Sequence, residues 1–600
     1  MYKQLTSTTM IRLLHVHPAS EPDPLVCTLE HFDLDSDLNY EAISYVWGDS
    51  ILSCSITCDS EIIAVTLSLY QALSRIRSPI QLRTVWIDGL CINQADDVEK
   101  SHQVQLMQRV FRDAHRVLVW LGPDPGCARN AFDFCRKFGQ REMDVGQPQT
   151  SDIEQMSWVF YLARCPWWGR VWIIQEMALA KDILFLWGME EVQWTHVRLA
   201  ISKIRNPDAL DTSCIDTWFV EPISRLSAIK DQRSYATSFM GTMRMARAFE
   251  CSDSRDRIFA IIGFGRVGNR WAAADPDGRL LATAIIPDYA SPVEHVYMQF
   301  AMMALRRNLA EDIFLAIQHG EQLNRWKSGD IPSWSPRWDV HLLNDFPVCP
   351  CLQKICSFDK TAADYSMSFI GSQQLSALQT SFDPITVDTL NVLSAIFDEI
   401  ISLSQIICDG ISAVTSNILS RFWKKNIRPA EATDKYRTLF TDFCETTTYQ
   451  MSPENHIDFF RMYITSCEKK SGSSAKSVKA KAHAMLRSLD QLQLEMGETP
   501  FTSVFQKFPK ADRSRTCSKR LFITRQGYVG MCPAAAQSGD RVALLWRTRC
   551  PMILRPQDDF YRIVGSSYVA ALTRTKTDGV PHPLDDLISG TLQPEIIQIR

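Results

Sequence analysis

The fold of the first part of the chain follows from one segment, VWIDGLCINQADDVEKSHQVQLMQRVFRDAHRVLVWLG (Val85–Gly122). It is framed by two short apolar runs rich in β-branched and aromatic residues, TVWID (Thr84–Asp88) and RVLVWLG (Arg116–Gly122), which predict buried strands. Between them, apolar residues recur on one helical stripe at Val104, Met107, Phe111 and Ala114. A strand, a helix and a strand in succession predict two parallel strands joined by a covering helix.

The same alternation extends outward on both sides of this unit. AISYVW (Ala42–Trp47) predicts an earlier core strand, closed by the loop residues Gly48 and Asp49. CSITCDSEIIAV predicts a hairpin that turns at Asp59 and Ser60, followed by a helix with Thr66 as its N-cap. On the other side, a Trp-rich helix around Trp168–Ala180 leads into a fourth strand, DILFLWG. Residues 1–200 are therefore predicted to form an α/β domain, a parallel sheet with helices on both faces.

The predicted secondary structure changes twice along the remaining two-thirds of the chain. Residues 201–345 are predicted to be mainly helical, and residues 346–515 helical but irregular, with a basic, Ser-rich mobile linker near 468–481. The apolar stretch Asn391–Trp423 is broken by charged residues and predicts a packed helix pair rather than a membrane span. Residues 516–600 predict a small antiparallel β unit, whose strands fall in ITRQGYVG, GDRVALLW, CPMILRP and FYRIVG.

Composition excludes several classes of function. A net charge of -4 over 600 residues gives no global drive toward nucleic acid or an anionic membrane. The first residues contain no apolar core of signal-peptide length, so we expect a cytoplasmic protein whose 18 cysteines are mostly reduced and buried. Cys349, Cys351 and Cys356, with His341 upstream, lack the second ligand pair of a zinc site. No GxxxxGK[ST] run occurs, which excludes a P-loop nucleotidase.

Three segments carry a family resemblance: YEAISYVWGDS (Tyr40–Ser50), the stretch Val85–Gly122, and WWGRVWIIQEMALA (Trp167–Ala180). They resemble, in the same order, the conserved blocks of the fungal heterokaryon-incompatibility (HET) domain. Later segments, including Ser254–Phe264 and Ile286–Tyr297, also resemble the regions C-terminal to that domain in the family. The resemblance implies an effector of non-self recognition that promotes programmed cell death and self-associates through its HET domain. The chain has no nucleotide-driven oligomerisation module and no WD or ankyrin array, so its trigger is expected to be an unidentified regulatory protein partner, self-association, or the C-terminal two-thirds of the chain.

HET domains are in turn similar to TIR domains, which implies a flavodoxin-like fold for residues 1–200. Trp172-Ile-Ile-Gln-Glu176 resembles the TIR spacing of a Trp and, four residues later, the glutamate of the NAD-hydrolysing members. The resemblance implies that NAD is the substrate, with no bound cofactor, and that Glu176 is the catalytic residue.

The chemistry of that reaction fits a single carboxylate. Cleavage of the nicotinamide–ribose bond develops positive charge on the ribose, while the leaving group needs no proton. Trp172 and Glu176 are an i, i+4 pair that would share one helix face. Loops after the strands would bring further substrate-binding residues to the same edge of the sheet. The candidates are Trp47, Asp49, Asp88, Arg170 and Trp172.

Structural interpretations of the same residues stay open. Glu176 could simply pair with Arg170, and that arginine could instead meet a pyrophosphate. Trp47, Trp168 and Trp172 could be core residues, while Asp49 and Asp88 could satisfy the amides of strand-ending turns.

Two other functions stay open beside NAD hydrolysis. The domain could be a non-catalytic assembly platform that signals by homotypic contact. Cys91, with His102 nearby in sequence, could be a thiol nucleophile, although its apolar neighbours favour an inert buried thiol.

Overall fold

The computed structural model describes residues 2–140, 158–204, 221–231, 238–266, 276–307, 309–319, 331–340, 389–406, 422, 519–545, 548, 550–573, 592 and 595–600. The chain divides into two compact units, Met1–Phe300 and Ala301–Arg600. The predicted boundaries at residues 200, 345 and 515 stay predictions. The predicted linker and the Cys349–Cys356 group lie outside the described residues. Among the residues described, no helix is both long and apolar enough to cross a bilayer.

A nine-stranded sheet organises the first unit. Its strands, in chain order, are β1 (Met10–Val16), β2 (Val26–Asp33), β3 (Glu41–Tyr45), β4 (Cys54–Cys58), β5 (Glu61–Val65), β6 (Arg83–Trp86), β7 (Arg116–Trp120), β8 (Ile183–Trp187) and β9 (Glu190–Gln193). They are arranged in the order β5-β4-β2-β1-β6-β3-β7-β8-β9.

The parallel arrangement predicted from sequence holds for the middle of this sheet and is wrong for the sheet as a whole. Strand β3 is parallel to β6 and β7, and β7 is parallel to β8. By contrast, β1 is antiparallel to β2 and β6, and the β4–β5 and β8–β9 pairs are antiparallel hairpins. Two-residue turns join those hairpins, and so short a connection permits only antiparallel pairing. The sheet is therefore mixed.

Local signals in the sequence are confirmed. The β4–β5 hairpin turns at Asp59 and Ser60, whose φ angles of 50° and 67° match the right-handed twist of the flanking strands. The Thr66 side chain accepts from the Leu69 amide at 3.3 Å and caps the next helix. The Asp96 carboxylate likewise accepts from the amides of Val98 and Glu99.

Helices follow these strands through the first unit and into the second. They are α1 (Leu67–Ile76), α2 (Asp88–Cys91), α3 (Asp97–Asp113), α4 (Ala128–Gln140), α5 (Ile173–Leu179), α6 (Trp194–Ile204), α7 (Glu221–Asp231), α8 (Phe239–Ala246), α9 (Asp256–Arg266), α10 (Pro276–Ala284), α11 (Val293–Leu305) and α12 (Ala310–Leu315). The described part of the predicted helical region 201–345 is thus mainly helical.

The predicted Trp-rich helix is shorter than its sequence suggests. Pro166–Gly169 forms one 3-10 turn, and α5 begins only at Ile173. Between them, the backbone pairs with Glu250: the Val171 amide donates to the Glu250 carbonyl at 2.9 Å, and the Glu250 amide donates to the Gly169 carbonyl at 2.5 Å. Backbone groups engaged in this bridge cannot take part in a continuous helix.

A second sheet organises the other unit. Its strands are β10 (Leu390–Leu403), β11 (Lys519–Thr524), β12 (Val529–Pro533), β13 (Arg541–Leu545), β14 (Met552–Pro556), β15 (Tyr561–Ser566), β16 (Tyr568–Val569) and β17 (Glu595–Ile599). Strand β10 pairs with both β17 and β13, and the ring β13-β14-β15-β17-β10 closes on itself. The predicted C-terminal β sheet is present, although β15 and β17 pair in parallel and β10 comes from before the predicted range. Closure leaves the five-stranded ring without an exposed edge.

Strand β10 corrects the helix-pair prediction for Asn391–Trp423. Residues Leu390–Leu403 form one long strand, and most of the remainder lies outside the described residues. Helical and strand patterns are hard to separate in an apolar run of this kind. Pairing with three other strands, β11, β13 and β17, decides in favour of the strand.

Candidate functional site

Glu176 lies on α5 with only 2% of its surface exposed. The hydroxyl of Ser44, on strand β3, donates to its Oε2 atom. The Arg170 guanidinium lies on the same oxygen, with Nη1 at 3.4 Å. A buried carboxylate needs such partners, because an unpaired charge away from water is costly. The predicted pairing of Glu176 with Arg170 is therefore present, together with a contact to the sheet.

The direction of the Ser44 hydroxyl proton follows from its second partner. Trp167 donates its indole N–H to Ser44 Oγ at 2.7 Å. An indole N–H is only a donor, so it occupies a lone pair of the hydroxyl and leaves the Ser44 proton to point at Glu176. The three side chains form one buried chain, from Trp167 through Ser44 to Glu176 Oε2.

The other oxygen of Glu176 has no partner among the residues that the structure describes. Within the described part of the chain, Glu176 Oε1 makes no hydrogen bond or ion pair, since both contacts fall on Oε2. Burial raises the pKa of Glu176, whereas the Arg170 charge and the Ser44 hydrogen bond lower it. One oxygen is thus anchored and the other can accept from a ligand.

Asp88 is the second carboxylate of the site and lies at the start of α2, directly after β6. Its Oδ1 accepts from the Gly89 amide at 2.7 Å, and its Oδ2 accepts from the Trp47 indole at 2.9 Å. Burial raises the pKa of Asp88, and Arg170 lowers it. The Asp88 charge in turn raises the pKa of Glu176. A single arginine thus faces two carboxylates.

Gly89 permits this arrangement. A Cβ at that position would lie 2.6 Å from the Tyr45 hydroxyl, closer than real Cβ atoms approach. Tyr45 is buried at the end of β3, and burial together with the Asp88 charge raises its pKa well above the usual value. Because Gly89 has no side chain, the Tyr45 hydroxyl can lie close to the backbone beside Asp88, at the same end of the sheet.

These groups lie where parallel sheets bind ligands. Ser44 and Tyr45 end β3, Asp88 follows β6, and α5 lies between β7 and β8 in the chain. The chain runs from β3 to β6 on one side and then crosses to β7 on the other. The carboxyl ends of strands at such a reversal of order form the usual ligand crevice of an α/β sheet.

Two of the predicted residues are placed differently from the cluster of Ser44, Asp88, Arg170 and Glu176. The Trp172 indole donates to Asp256 on α9 at 3.0 Å. Asp49 is exposed, and its Oδ1 accepts from the Ile51 amide at 3.2 Å, as in a strand-ending turn. Their roles in substrate binding stay predictions.

The predicted aromatic residues separate into core and surface. Trp168 is a core residue, stacked on Phe185 with ring centroids 5.4 Å apart. Trp47 is 43% exposed while its indole N–H reaches Asp88.

Ser44 and Trp167 were missed by sequence reasoning. Ser44 interrupts the apolar run of β3, and a polar residue inside a buried strand is a signal that could have identified it. The thiol alternative is weakened, because burial raises the pKa of Cys91 to about 12 and a thiol, unlike a thiolate, is a poor nucleophile.

One family model matches the part of the chain that contains this site. The model, described as heterokaryon incompatibility protein (HET), matches residues 40–176, from the residue before β3 to Glu176 itself. Over this region the chain is therefore similar to HET proteins. The match covers the strands and helices that hold Ser44, Asp88, Arg170 and Glu176.

A second family model and one relative extend the match along the chain. A Het-6 beta-barrel domain model matches residues 429–576, which include strands β11–β16 of the second unit. Heterokaryon incompatibility protein 6, OR allele, of Neurospora crassa is 24% identical over 94% of this chain and 93% of its own. No solved structure matches the chain.

Proposed function

We propose that this HET protein acts in heterokaryon incompatibility, as the name of its Neurospora relative suggests, and that its first domain hydrolyses NAD to promote cell death. The observation that carries the enzymatic proposal is the state of Glu176. It is a buried carboxylate at the carboxyl ends of parallel strands, with one oxygen anchored by Ser44 and Arg170 and the other uncommitted.

The proposed chemistry uses that free oxygen. As the nicotinamide–ribose bond breaks, its electron pair leaves with the neutral nicotinamide and positive charge develops on the ribose. Glu176 Oε1, ionised, stabilises this charge, and water adds to the anomeric carbon and releases a proton to solvent. The products are ADP-ribose and nicotinamide. A fixed charge inside a low-dielectric site stabilises such a transition state more strongly than a charge in water.

Arg170 and Asp88 supply the groups for binding the rest of the substrate. The Arg170 guanidinium carries five N–H donors. In the described structure only its contact with Glu176 engages one of them. The others are suited to an anionic oxygen of a dinucleotide, such as a pyrophosphate. Asp88 is suited to accept from ribose hydroxyls, and the exposed ring of Trp47 can stack against a base.

The strand order supports a flavodoxin-like, TIR-like classification of this domain. In chain order the parallel strands are β3, β6, β7 and β8, here counted as strands 1 to 4. In the sheet they lie side by side as β6-β3-β7-β8, which is the order 2-1-3-4. Flavodoxin-like sheets share this 2-1-3-4 beginning and bind their ligand at the same reversal. We extend the proposal to a cytoplasmic protein that self-associates through this domain and responds to a partner protein.

The test is Glu176→Gln in the full-length chain, which preserves the shape of the side chain and removes its charge. We expect NAD consumption to fall ~100-fold or more, as for loss of a preorganised charge at a transition state. Glu30→Gln is a matched control, because that glutamate is 62% exposed on β2. Wild-type NAD consumption in the Glu176→Gln variant, measured with a folded protein, would contradict catalysis by this residue.

A second function, non-catalytic assembly, is favoured by two specific observations. Glu176 is already buried in an ion pair with Arg170, as expected of a structural residue. The loop after β3 exposes three large apolar residues, Trp47, Ile51 and Leu52, which suit homotypic contact. On this account Glu176→Gln leaves cell death intact, and the double change Ile51→Asp with Leu52→Asp abolishes it.

A further inference from the structure

The helix that carries Glu176 is short and is bound to elements that lie beyond the HET match in the chain. Helix α5 has only 7 residues, too few to be stable in isolation. The family match ends at Glu176. Helices α7 and α9, from residues 221–266, both pack against α5. The position of Glu176 therefore depends on residues beyond the matched domain.

At the C-terminal end of α5, Lys230 of α7 supplies a positive charge. Its Nζ donates to the carbonyl of Met177 at 2.9 Å and to that of Ala180 at 2.7 Å. The last carbonyls of a helix have no partner within the helix, and the helix dipole makes this end negative. An ammonium group at this place satisfies both requirements.

At the N-terminal end, Asp256 of α9 supplies a carboxylate. It accepts from the Trp172 indole at 3.0 Å and from the Tyr289 hydroxyl at 2.6 Å, and it is buried. Trp172 is the residue directly before α5. The backbone bridge from Glu250 to Val171 adds a second attachment one residue earlier.

The middle of α5 is attached through Gln175, which is buried. With its amide nitrogen toward α9, Gln175 reaches the Ala260 carbonyl at 3.2 Å. A Cβ on Gly263 of α9 would lie 2.8 Å from the side-chain amide carbon of Gln175. The absence of a side chain at Gly263 is what lets the two helices approach so closely.

We propose that Lys230 and Asp256 are positioning residues that hold α5, and with it Glu176, from opposite ends. Helices α7 and α9, with Tyr289, are then part of the functional unit rather than a separate regulatory region. A structural change in this segment would move Glu176 relative to Ser44 and so control the site. The effect on turnover rests on the proposed NAD hydrolysis, whereas the stabilisation of α5 by Lys230 and Asp256 does not.

The experiment compares Lys230→Met, Lys230→Arg and Asp256→Ala, which removes the acceptor of the Trp172 indole, with Lys181→Met in the full-length protein. Lys181 follows α5 by two residues, is exposed, and donates to Asp113 instead of to α5, so it matches Lys230 in type and neighbourhood. Amide hydrogen exchange over residues 173–180 is measured without NAD, and NAD turnover is measured separately.

Lys230→Met and Asp256→Ala are expected to speed exchange in α5 at least ~10-fold, the effect of losing about 1.4 kcal/mol of local stability. They are expected to lower kcat more than they change KM, because Glu176 is displaced rather than removed. Lys230→Arg should retain most of the wild-type exchange protection of α5 and most of kcat, and Lys181→Met should alter neither the exchange nor kcat.

Unchanged exchange in α5 for folded Lys230→Met and Asp256→Ala variants would overturn the inference. If the wild-type protein consumes no NAD, the proposed function fails, while the exchange result still decides whether Lys230 and Asp256 position α5. If Lys230→Met does not fold, Asp256→Ala and Lys230→Arg are compared instead, with thermal unfolding confirming that each variant is native.

Discussion

Ser44 and Glu176 are 132 residues apart in the chain, and the Ser44 hydroxyl donates to the Glu176 carboxylate inside the first unit. Trp167, as a donor to the same hydroxyl, fixes the direction of this bond. The pair joins the first strand of the parallel set to the helix that carries the proposed catalytic carboxylate. Its removal is therefore expected to affect the charge of Glu176 as well as its position.

Ser44→Ala tests this relationship. Because the Ser44 hydrogen bond lowers the pKa of Glu176, its loss should raise that pKa and shift the acidic limb of the rate–pH profile to higher pH. Leaving the buried Trp167 donor without a partner should also cost ~1–3 kcal/mol of stability. The exposed Ser36→Ala change is the control. An unshifted profile in an active Ser44→Ala variant would exclude a role for Ser44 in tuning Glu176.

Asp256 gives the fold a pH dependence with a defined sign. Burial raises the pKa of Asp256 to about 6, from 3.8 in an unfolded chain. The hydrogen bonds from Tyr289 and Trp172 lower this pKa, the Asp253 charge raises it, and the Lys100 charge lowers it. A raised carboxyl pKa contributes stability that is complete below 3.8 and is lost as pH rises through about 6. Wild type should thus lose about 2 kcal/mol between pH 4 and 7 that Asp256→Asn does not lose.

Denaturant unfolding at several pH values measures that difference, and Trp172 fluorescence in the native state should titrate with the same midpoint. In the Asp256→Asn variant, the new amide can still accept from the indole, since the Tyr289 hydroxyl can turn from donor to acceptor. Parallel stability curves for the two proteins over this pH range would contradict the assignment.

The buried thiol of Cys91 should be inert. Because burial raises its pKa to about 12, almost no thiolate exists at neutral pH. Iodoacetamide applied to the native protein should leave NAD consumption unchanged, and Cys91→Ala should retain activity. Mass spectrometry of the Cys91 peptide measures directly whether this thiol has been alkylated. Inactivation that parallels alkylation of Cys91 would revive the thiol-nucleophile alternative.

The last residues of the chain should be essential to the second unit. Strand β17 closes the ring between β10 and β15, and it buries Ile597 and Ile599. Deleting residues 595–600 should cost the burial of both side chains, ~1.5–3 kcal/mol each, besides the strand hydrogen bonds. Thermal unfolding and limited proteolysis should register a destabilised second unit. Glu595→Ala, an exposed change on the same strand, should behave like wild type.

Local features of the fold were predictable from sequence because they depend on a few neighbouring residues. The Asp59–Ser60 turn, the Thr66 cap and the strands of the Val85–Gly122 unit all belong to this group. Strand β1 was not predicted. Arg12 and His15 interrupt its apolar pattern, and only the folded chain brings Glu99 to the buried Arg12, at 2.6 Å.

The candidate site was predictable in part for the same reason. Glu176, Arg170 and Asp88 were identified from their motifs, and the structure brings them together. Trp172 was expected beside Glu176 because of helical spacing, but α5 begins after it and its indole turns to Asp256. That partner lies 84 residues further along the chain, and no local pattern could indicate it.

Catalysis by Glu176 is decided by measuring NAD consumption with purified full-length wild type and Glu176→Gln, at a concentration high enough for self-association. We expect nicotinamide release by wild type, a loss of ~100-fold or more in the variant, and an equally stable fold in both. Nicotinamide release at the same rate by both proteins, or by neither while both still cause cell death, would contradict it.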